Sequence, residues 1–156
     1  PAPANAVASI ALLRQSDILT PNETEFAALL GRHVGQRMEG DDVAALDGNT
    51  LHGLCRQLLP GGTVVITLGA VGAFVSHEDE HLRGDAQAYY RVAADTAQTV
   101  DTTGAGDAFN GALAASLAHA PQAAFNLHVR FANRFAARST ESEGAAVSMP
   151  RLTPES

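Results

Sequence analysis

Lysine is absent from the 156-residue sequence, and all ten of its basic residues are arginines. A Walker-A loop binds phosphate through a lysine, a protein kinase holds ATP with a strand lysine, and aldolases and pyridoxal enzymes form a Schiff base on a lysine amine. None of these sites can be complete within the chain. A phosphate group bound here must therefore be held in another way.

Cysteine occurs once, which excludes an internal disulfide and a multi-cysteine zinc site. Cys55 is predicted to be a small core residue on a helix, with a reactive thiol as the alternative. Long apolar runs are missing as well, since none approaches the roughly 18 residues of a membrane span, and no basic and apolar leader precedes the first predicted element. We therefore expect no membrane partner and a reducing, cytoplasmic location.

Net positive charge is also lacking, because the formal net charge is -7 at pH 7. Nucleic-acid surfaces gain affinity by neutralising phosphates with clustered cations, whereas the arginines are scattered along this sequence. We therefore expect no nucleic-acid partner. The first residue is Pro1 rather than a methionine, which suggests that the chain starts partway through a longer protein.

Helix-like and strand-like apolar periodicities alternate along the chain, which predicts an α/β layered fold with one sizeable core. Residues 63–68 (TVVITL) form a β-branched run that is typical of a strand buried on both faces in a parallel sheet. A helix is expected to start at Thr20-Pro21, with the threonine as N-cap, and to end at Gly31. The other predicted helices are residues 4–14, 51–59, the stretch from the 101–106 loop to 120, and 123–138, and the other predicted strands are 17–19, 72–76 and 88–92. Residues 35–49 are predicted to be a surface excursion, and the tail from residue 139 is predicted to be irregular.

A glycine-containing loop before the long alanine-rich helix carries the most informative pattern. Residues 101–111 read DTTGAGDAFNG. Two glycines ahead of a helix let the backbone turn sharply and leave amide N–H groups at the positive end of the helix dipole, where an anion can bind without lysine. Asp107 adds a carboxylate beside these amides. Phosphoryl transfer needs both parts, a group that takes the proton of the acceptor and donors that stabilise the moving phosphoryl group.

This string resembles the second signature of the ribokinase family of carbohydrate kinases, D-T-x-G-A-G-D-x-F-x-G, at every signature position. The resemblance implies that Asp107 deprotonates the sugar hydroxyl that attacks the γ-phosphate of ATP. It also implies that the amides of Gly104, Ala105 and Gly106 form an anion hole for the developing charge.

Three further segments match the family in order. Residues 21–25 (PNETE) are similar to its N-x-x-E motif, which implies that Asn22 lies near the nucleotide phosphates and that Glu25 influences Mg²⁺ through water. Residues 67–72 (TLGAVG) resemble the strand end that contacts the nucleotide, and residues 131–133 resemble the helix that borders the adenine. The resemblance therefore assigns ATP binding to Asn22, Thr67, Leu68, Gly69, Ala70, Val71, Gly72, Gly106 and Asn133.

A monovalent-cation site, usually occupied by K⁺ in the family, is implied beneath the anion hole. Such a cation would supply positive charge that the chain does not provide as lysine. Several of the ligands would be backbone carbonyls. The implied residues are Asp101, Thr103, Ser139, Ser142, Gly144 and Ser148.

The resemblance covers the whole chain but only the C-terminal half of the family's fold. It implies a three-layer α/β/α architecture with a mostly parallel central sheet, in which residues 1–156 are the nucleotide-binding and catalytic part of one domain and the N-terminal substrate and lid half is absent. The implied reaction is ATP-dependent phosphorylation of a sugar, with D-ribose and ribose 5-phosphate as the first choice. We expect the chain alone to be inactive and prone to associate, and the full-length protein to be a homodimer.

Two alternatives remain open. A sister kinase would act on another sugar, a sugar acid or a nucleoside, and a noncatalytic α/β nucleotide-binding module would use Asp107 only as an acid at a helix start. Residues 77–81 (HEDEH) also match the H-E-x-x-H zinc-protease pattern, which works only on a helix. Because a strand-like segment precedes them, a solvated hairpin turn is favoured over a zinc site.

Overall fold

The computed structural model describes residues 10–95 and 104–140. The chain divides into two compact units, Pro1–Ala93 and Ala94–Ser156. Within the described residues, the first unit contains four α-helices and four strands, and the second contains two α-helices. Among the described residues, no helix has the length and apolarity needed to cross a membrane.

The first unit contains a four-stranded sheet, whose strands are, in order, β1 Ile18–Leu19, β2 Thr63–Thr67, β3 Gly72–Ser76 and β4 Tyr89–Ala93. Strand β2 pairs in parallel with β1 and antiparallel with β3, and β3 pairs antiparallel with β4. The expectation of a mostly parallel sheet is therefore wrong for the described strands, since a tight turn after β2 returns the chain beside it as an antiparallel neighbour.

Helices of the first unit cover the sheet and supply much of its core. Their bounds are α1 Ile10–Arg14, α2 Glu23–His33, α3 Gly40–Val43 and α4 Gly48–Leu58. The largest fully buried side chains of this core are those of Phe26, Leu30, Val43, Leu51, Leu58, Leu59, Val64, Ile66 and Phe74. Cys55 is buried among them on α4, and burial raises the pKa of its thiol to about 12. This confirms its core placement and leaves the thiol protonated at neutral pH.

Helix α2 differs from its sequence prediction at both ends. Asn22, rather than Thr20, is the N-cap, because its side chain and that of Glu25 form a reciprocal capping box. Gly31 stays inside the helix, which ends near Gly35, a residue with a left-handed φ of 75°. A glycine ends the helix as the rule requires, but the rule does not say which of two nearby glycines does so.

The segment between α2 and α4 is more than a surface excursion. It contains the short helix α3, whose Val43 is fully buried in the core cluster. Helix α4 also begins within it, at Gly48, with Asp47 as N-cap. The burial of Val43 could not be predicted from the polar composition of residues 35–49, because a four-residue helix is too short to show a periodic apolar face.

Residues 77–81 lie in a turn between β3 and β4, where Glu78 and His81 form an antiparallel bridge. The hairpin prediction is therefore confirmed, and the helix that an H-E-x-x-H site requires is not formed here. His77 corrects the prediction in one respect, because it is fully buried rather than solvated.

The second unit contains the helices α5, Ala105–His119, and α6, Phe125–Ser139. They pack against each other, and the Ser116 hydroxyl lies 2.7 Å from Nδ1 of His128. This contact joins the end of α5 to the start of α6, which are connected by residues 120–124. Their buried side chains include Ala108, Phe109, Ala112, Leu113, Phe125, Val129 and Ala132.

Candidate functional site

Two of the predicted ATP-binding segments meet at the carboxyl ends of the parallel strands β1 and β2. Asn22 and Thr67 form a parallel bridge, and the Thr67 N–H donates to the Pro21 carbonyl oxygen at 3.0 Å. Ligands of open α/β sheets bind outside the carboxyl ends of the strands. The first unit therefore brings the N-x-x-E segment and the 67–72 segment together where a nucleotide is expected.

Asn22 and Glu25 are held by the capping box of α2. The Glu25 N–H donates to Oδ1 of Asn22 at 2.8 Å, and the Asn22 N–H donates to Oε2 of Glu25 at 3.0 Å. Each side chain is thereby fixed through one oxygen. The Asn22 amide nitrogen and the second Glu25 oxygen make no hydrogen bond within residues 10–95, so a donor for phosphate and an acceptor for hydrated Mg²⁺ are both available.

The 67–72 segment is a tight turn with an exposed tip. The Leu68 N–H donates to the Gly72 carbonyl at 2.8 Å, and Gly69 to Val71 form one turn of 3₁₀-helix. Gly69 has a φ of 55°, and Gly72 has a φ of 112° with a ψ of -125°, a conformation that only glycine adopts readily. Val71 is 57% exposed, which places an apolar side chain in solvent beside the backbone of this turn.

The predicted anion hole falls on the first turn of α5. Gly104 is the N-cap with a left-handed φ of 80°, and no side chain of the described residues caps the helix. The first intrahelical bond is the 2.8 Å contact from the Ala108 N–H to the Gly104 carbonyl. The amide groups of the first turn, including those of Ala105 and Gly106, therefore precede the intrahelical ladder and are available to an anion.

Asp107 lies on the exposed side of this first turn. An acid here is favoured by the helix dipole whether or not it has a chemical role. A Cβ built on Gly106 would meet nothing within 4 Å among the described residues, so the space in front of the turn is open. The first turn therefore has an exposed carboxylate beside an uncrowded glycine.

Asn133 and Ser139 lie on α6, which packs along α5 in the same unit. Asn133 is half-buried, while Ser139 is 2% exposed and donates its hydroxyl to the Ala136 carbonyl at 2.7 Å. If the Ser139 side chain bound K⁺, the ligand would be a hydroxyl oxygen that already donates its hydrogen to a carbonyl of the last turn of α6. The other residues of the implied cation site lie outside the described residues: Asp101, Thr103, Ser142, Gly144 and Ser148.

Sequence reasoning missed one contact of the N-x-x-E segment. Gly40, the first residue of α3, lies so close to Thr24 that an added Cβ would be 3.0 Å from Oγ1 and 3.2 Å from both Cα and N of Thr24. In the sequence, the only sign of this contact is that Gly40 stands three residues before Val43, a single valine in a polar stretch. That signal cannot reveal which distant backbone the glycine approaches.

Comparison with known proteins agrees with the predicted family. Residues 1–152 match the model described as pfkB family carbohydrate kinase. The ribokinase of Haemophilus influenzae is 35% identical over 152 residues, which are 96% of this chain and 42% of that protein. The family prediction is therefore confirmed.

Solved structures confirm the fold. The crystal structure of ribokinase from Thermotoga maritima matches with a TM-score of 0.73 and 28% identity, over 96% of this chain and 44% of that chain. The structure of Arabidopsis thaliana ribokinase complexed with ribose and ATP matches with a TM-score of 0.63 and 29% identity, over 91% and 40% of the two chains. The chain therefore has the ribokinase-like α/β fold and spans less than half the length of these relatives.

Proposed function

Because the chain belongs to the pfkB family of carbohydrate kinases, we propose that it is the ATP-binding and phosphoryl-transfer part of an enzyme that phosphorylates a sugar hydroxyl. The observation that carries the proposal is the first turn of α5, where uncapped amides and the exposed Asp107 lie side by side. D-ribose is the proposed acceptor and ribose 5-phosphate the product, since the cited relatives are ribokinases.

In the proposed reaction, Asp107 accepts the proton of the sugar hydroxyl. The freed oxygen forms a bond to the γ-phosphorus as the bond to the bridging oxygen breaks, and ADP leaves. The amides of Gly104, Ala105 and Gly106 donate to the phosphoryl oxygens as their charge increases. Because these donors belong to the backbone of a helix start, they are oriented before the substrate binds.

Charge that the missing lysines would provide is proposed to come from bound cations. Glu25 would act on Mg²⁺ through water, with its second carboxylate oxygen, while Asn22 donates to the nucleotide phosphates. Mg²⁺ bound with ATP would offset the phosphate charge, and K⁺ near Ser139 would raise the positive potential beneath the anion hole. The 67–72 turn and Asn133 would border the base.

The proposal predicts that Asp107→Asn in the full-length protein abolishes sugar phosphorylation, with a loss of at least about a thousandfold in kcat, because the amide cannot accept the proton. ADP release with D-ribose and a panel of other sugars and nucleosides measures the turnover and identifies the acceptor. ATP binding should be nearly unchanged, since the amides of the first turn remain.

Asp79→Asn is the matched control, because Asp79 is an exposed aspartate in the turn after β3 and has no proposed role. It should leave turnover at the wild-type level. Unchanged turnover in Asp107→Asn would reject the mechanism. ATP binding without turnover on any acceptor in the wild-type protein would favour the noncatalytic nucleotide-binding module.

A further inference from the structure

The contact between Gly40 and Thr24 joins a segment of no assigned function to the middle of the N-x-x-E segment. Thr24 lies between Asn22 and Glu25, and the nearest atoms to a Cβ on Gly40 would include the backbone N and Cα of Thr24. Gly40 does not have a positive φ, so the backbone alone does not require glycine there. What requires glycine is the close approach of two backbones.

Helix α3 is anchored independently of this contact. Its Val43 is fully buried in the core, and Met38, Ala44 and Leu46 on either side are partly buried against the same cluster. The Glu39 N–H donates to the carboxylate of Asp42 at 3.3 Å at the start of the helix. The α3 backbone is therefore held in place by the core. Thr24 contacts a backbone segment that cannot easily move away from it.

We propose that α3 is a buttress for the capping box, and that Gly40 is a positioning residue that sets the orientation of Asn22 and Glu25 toward the nucleotide phosphates and Mg²⁺. The capping box alone fixes Asn22 and Glu25 relative to each other. The bridge from Asn22 to Thr67 fixes them relative to β2. The contact with Gly40 restrains the backbone of Thr24, which lies between Asn22 and Glu25 in the sequence. The inference rests on the proposed function for the ligands that Asn22 and Glu25 serve.

Replacing Gly40 by alanine places a methyl group 3.2 Å from two backbone atoms of Thr24, closer than ordinary van der Waals contact. Backbone atoms cannot rotate away as a flexible side chain can. Because Val43 anchors α3 in the core, we expect the first turn of α2 to shift by a few tenths of an ångström and to weaken the two capping-box hydrogen bonds that Asn22 and Glu25 exchange.

Gly31→Ala is the matched control, because Gly31 lies in α2 itself and the nearest atom to its added Cβ would be the Gln36 carbonyl oxygen at an ordinary 3.8 Å. In the full-length protein, Gly40→Ala should speed amide hydrogen exchange at Glu25 by about fivefold or more relative to the Ile66 amide of β2, whereas Gly31→Ala, which only adds helix propensity to α2, should not raise this ratio. The ratio separates local loosening from global destabilisation.

A second readout is the Mg²⁺ concentration for half-maximal turnover, which should rise by about tenfold in Gly40→Ala and stay at the wild-type value in Gly31→Ala. Adding Thr24→Ala to Gly40→Ala removes the nearest clashing atom and should recover part of both effects. If Gly40→Ala folds poorly, Val43→Ala tests the same buttress without introducing a clash. It is also expected to raise the exchange ratio, because it weakens the anchor of α3 in the core.

The buttress proposal would be overturned if Gly40→Ala had normal turnover and showed the same exchange ratio and the same Mg²⁺ requirement as Gly31→Ala. Failure of the wild-type protein to turn over any acceptor would instead reject the proposed function. The two failures are distinguishable because the exchange measurement needs neither substrate nor metal.

Discussion

His77 shows at the scale of one residue how burial favours a neutral ring and how hydrogen bonds determine its tautomer. Its Nε2 lies 2.8 Å from the carboxylate of Asp85, which can only accept, so Nε2 carries hydrogen. Its Nδ1 lies 2.9 Å from the Thr63 hydroxyl, which also accepts from Nε of Arg83. In the neutral ring, the hydroxyl donates to Nδ1. Burial lowers the pKa of His77 from 6.5 despite the opposing effect of Asp85, which agrees with a neutral ring.

This residue predicts a pH dependence of stability. Because the folded pKa lies below 6.5, the unfolded chain takes up the proton first as the pH falls. The contribution to stability is complete above about pH 6.5 and is lost as the pH falls below that value, and this loss is at most about 1.4 kcal/mol at pH 5.5. Urea unfolding at pH 7.5 and 5.5 should show a smaller loss of stability in His77→Gln than in the wild-type protein.

His81→Gln is the control for this measurement, since His81 belongs to the same H-E-x-x-H pattern but is exposed. It should show the same loss as the wild-type protein between the two pH values. An equal loss in His77→Gln and His81→Gln would contradict the assignment of a neutral, buried His77.

At the scale of the element, the start of α2 combines a structural and a proposed chemical role in the same two side chains. The pattern N-x-x-E is both a capping box and the segment assigned to nucleotide and Mg²⁺. Because a cap uses one oxygen of each side chain, the other polar atoms stay available for a ligand. If removal of either side chain lowered activity, the loss could result from a destabilised helix or from weaker ligand binding, and activity alone would not distinguish the two.

Asn22→Asp separates the two roles. Aspartate caps helices about as well as asparagine, so the free energy of unfolding should change by less than about 0.5 kcal/mol. The added negative charge should repel the nucleotide phosphates and raise the Kd for ATP by about tenfold or more. Urea unfolding and ATP titration check the two expectations, and Asn22→Ala, which loses the cap, should lower stability by about 1 kcal/mol. Wild-type ATP affinity in Asn22→Asp would exclude contact between Asn22 and the phosphates.

The same elements show where sequence patterns were sufficient. The β-branched run predicted β2 to within one residue, and the alanine-rich and amphipathic stretches predicted α5 and α6 to within two residues at each end. Strand direction was not predictable in this way, because burial on both faces occurs in antiparallel pairs that helices cover as well as in parallel ones. The buried Val43 and His77 were missed because their burial depends on residues distant in sequence.

At the scale of the whole molecule, the predicted site residues are divided between two units. Asn22, Glu25 and the 67–72 turn belong to the first unit, whereas Gly104 to Asp107 and Asn133 belong to the second. The chain also spans 42% of the length of the Haemophilus influenzae ribokinase. Neither unit by itself therefore contains all of the predicted site residues.

We predict that residues 1–156 alone give no sugar-dependent ADP release above background, whereas the full-length protein does. The reason is that an α/β kinase excludes water and orients its acceptor with groups from its whole fold. Matched ADP-release assays of the two proteins check this. Sedimentation should show the isolated chain as associated species, because unpaired sheet edges and exposed apolar side chains such as that of Val71 promote association. Turnover by residues 1–156 comparable to that of the full-length protein would contradict the prediction.

The amino-acid sequence by itself determined the family, the alternation of helices and strands, and the candidate residues, because an eleven-residue signature and short-range periodicity are properties of neighbouring residues. It also excluded every lysine-dependent mechanism within the chain. Only the tertiary structure decided the mixed sheet, the bridge between Asn22 and Thr67, the burial of His77 and the approach of Gly40 to Thr24. These features arise where segments far apart in sequence come within van der Waals or hydrogen-bonding distance, which no local pattern records.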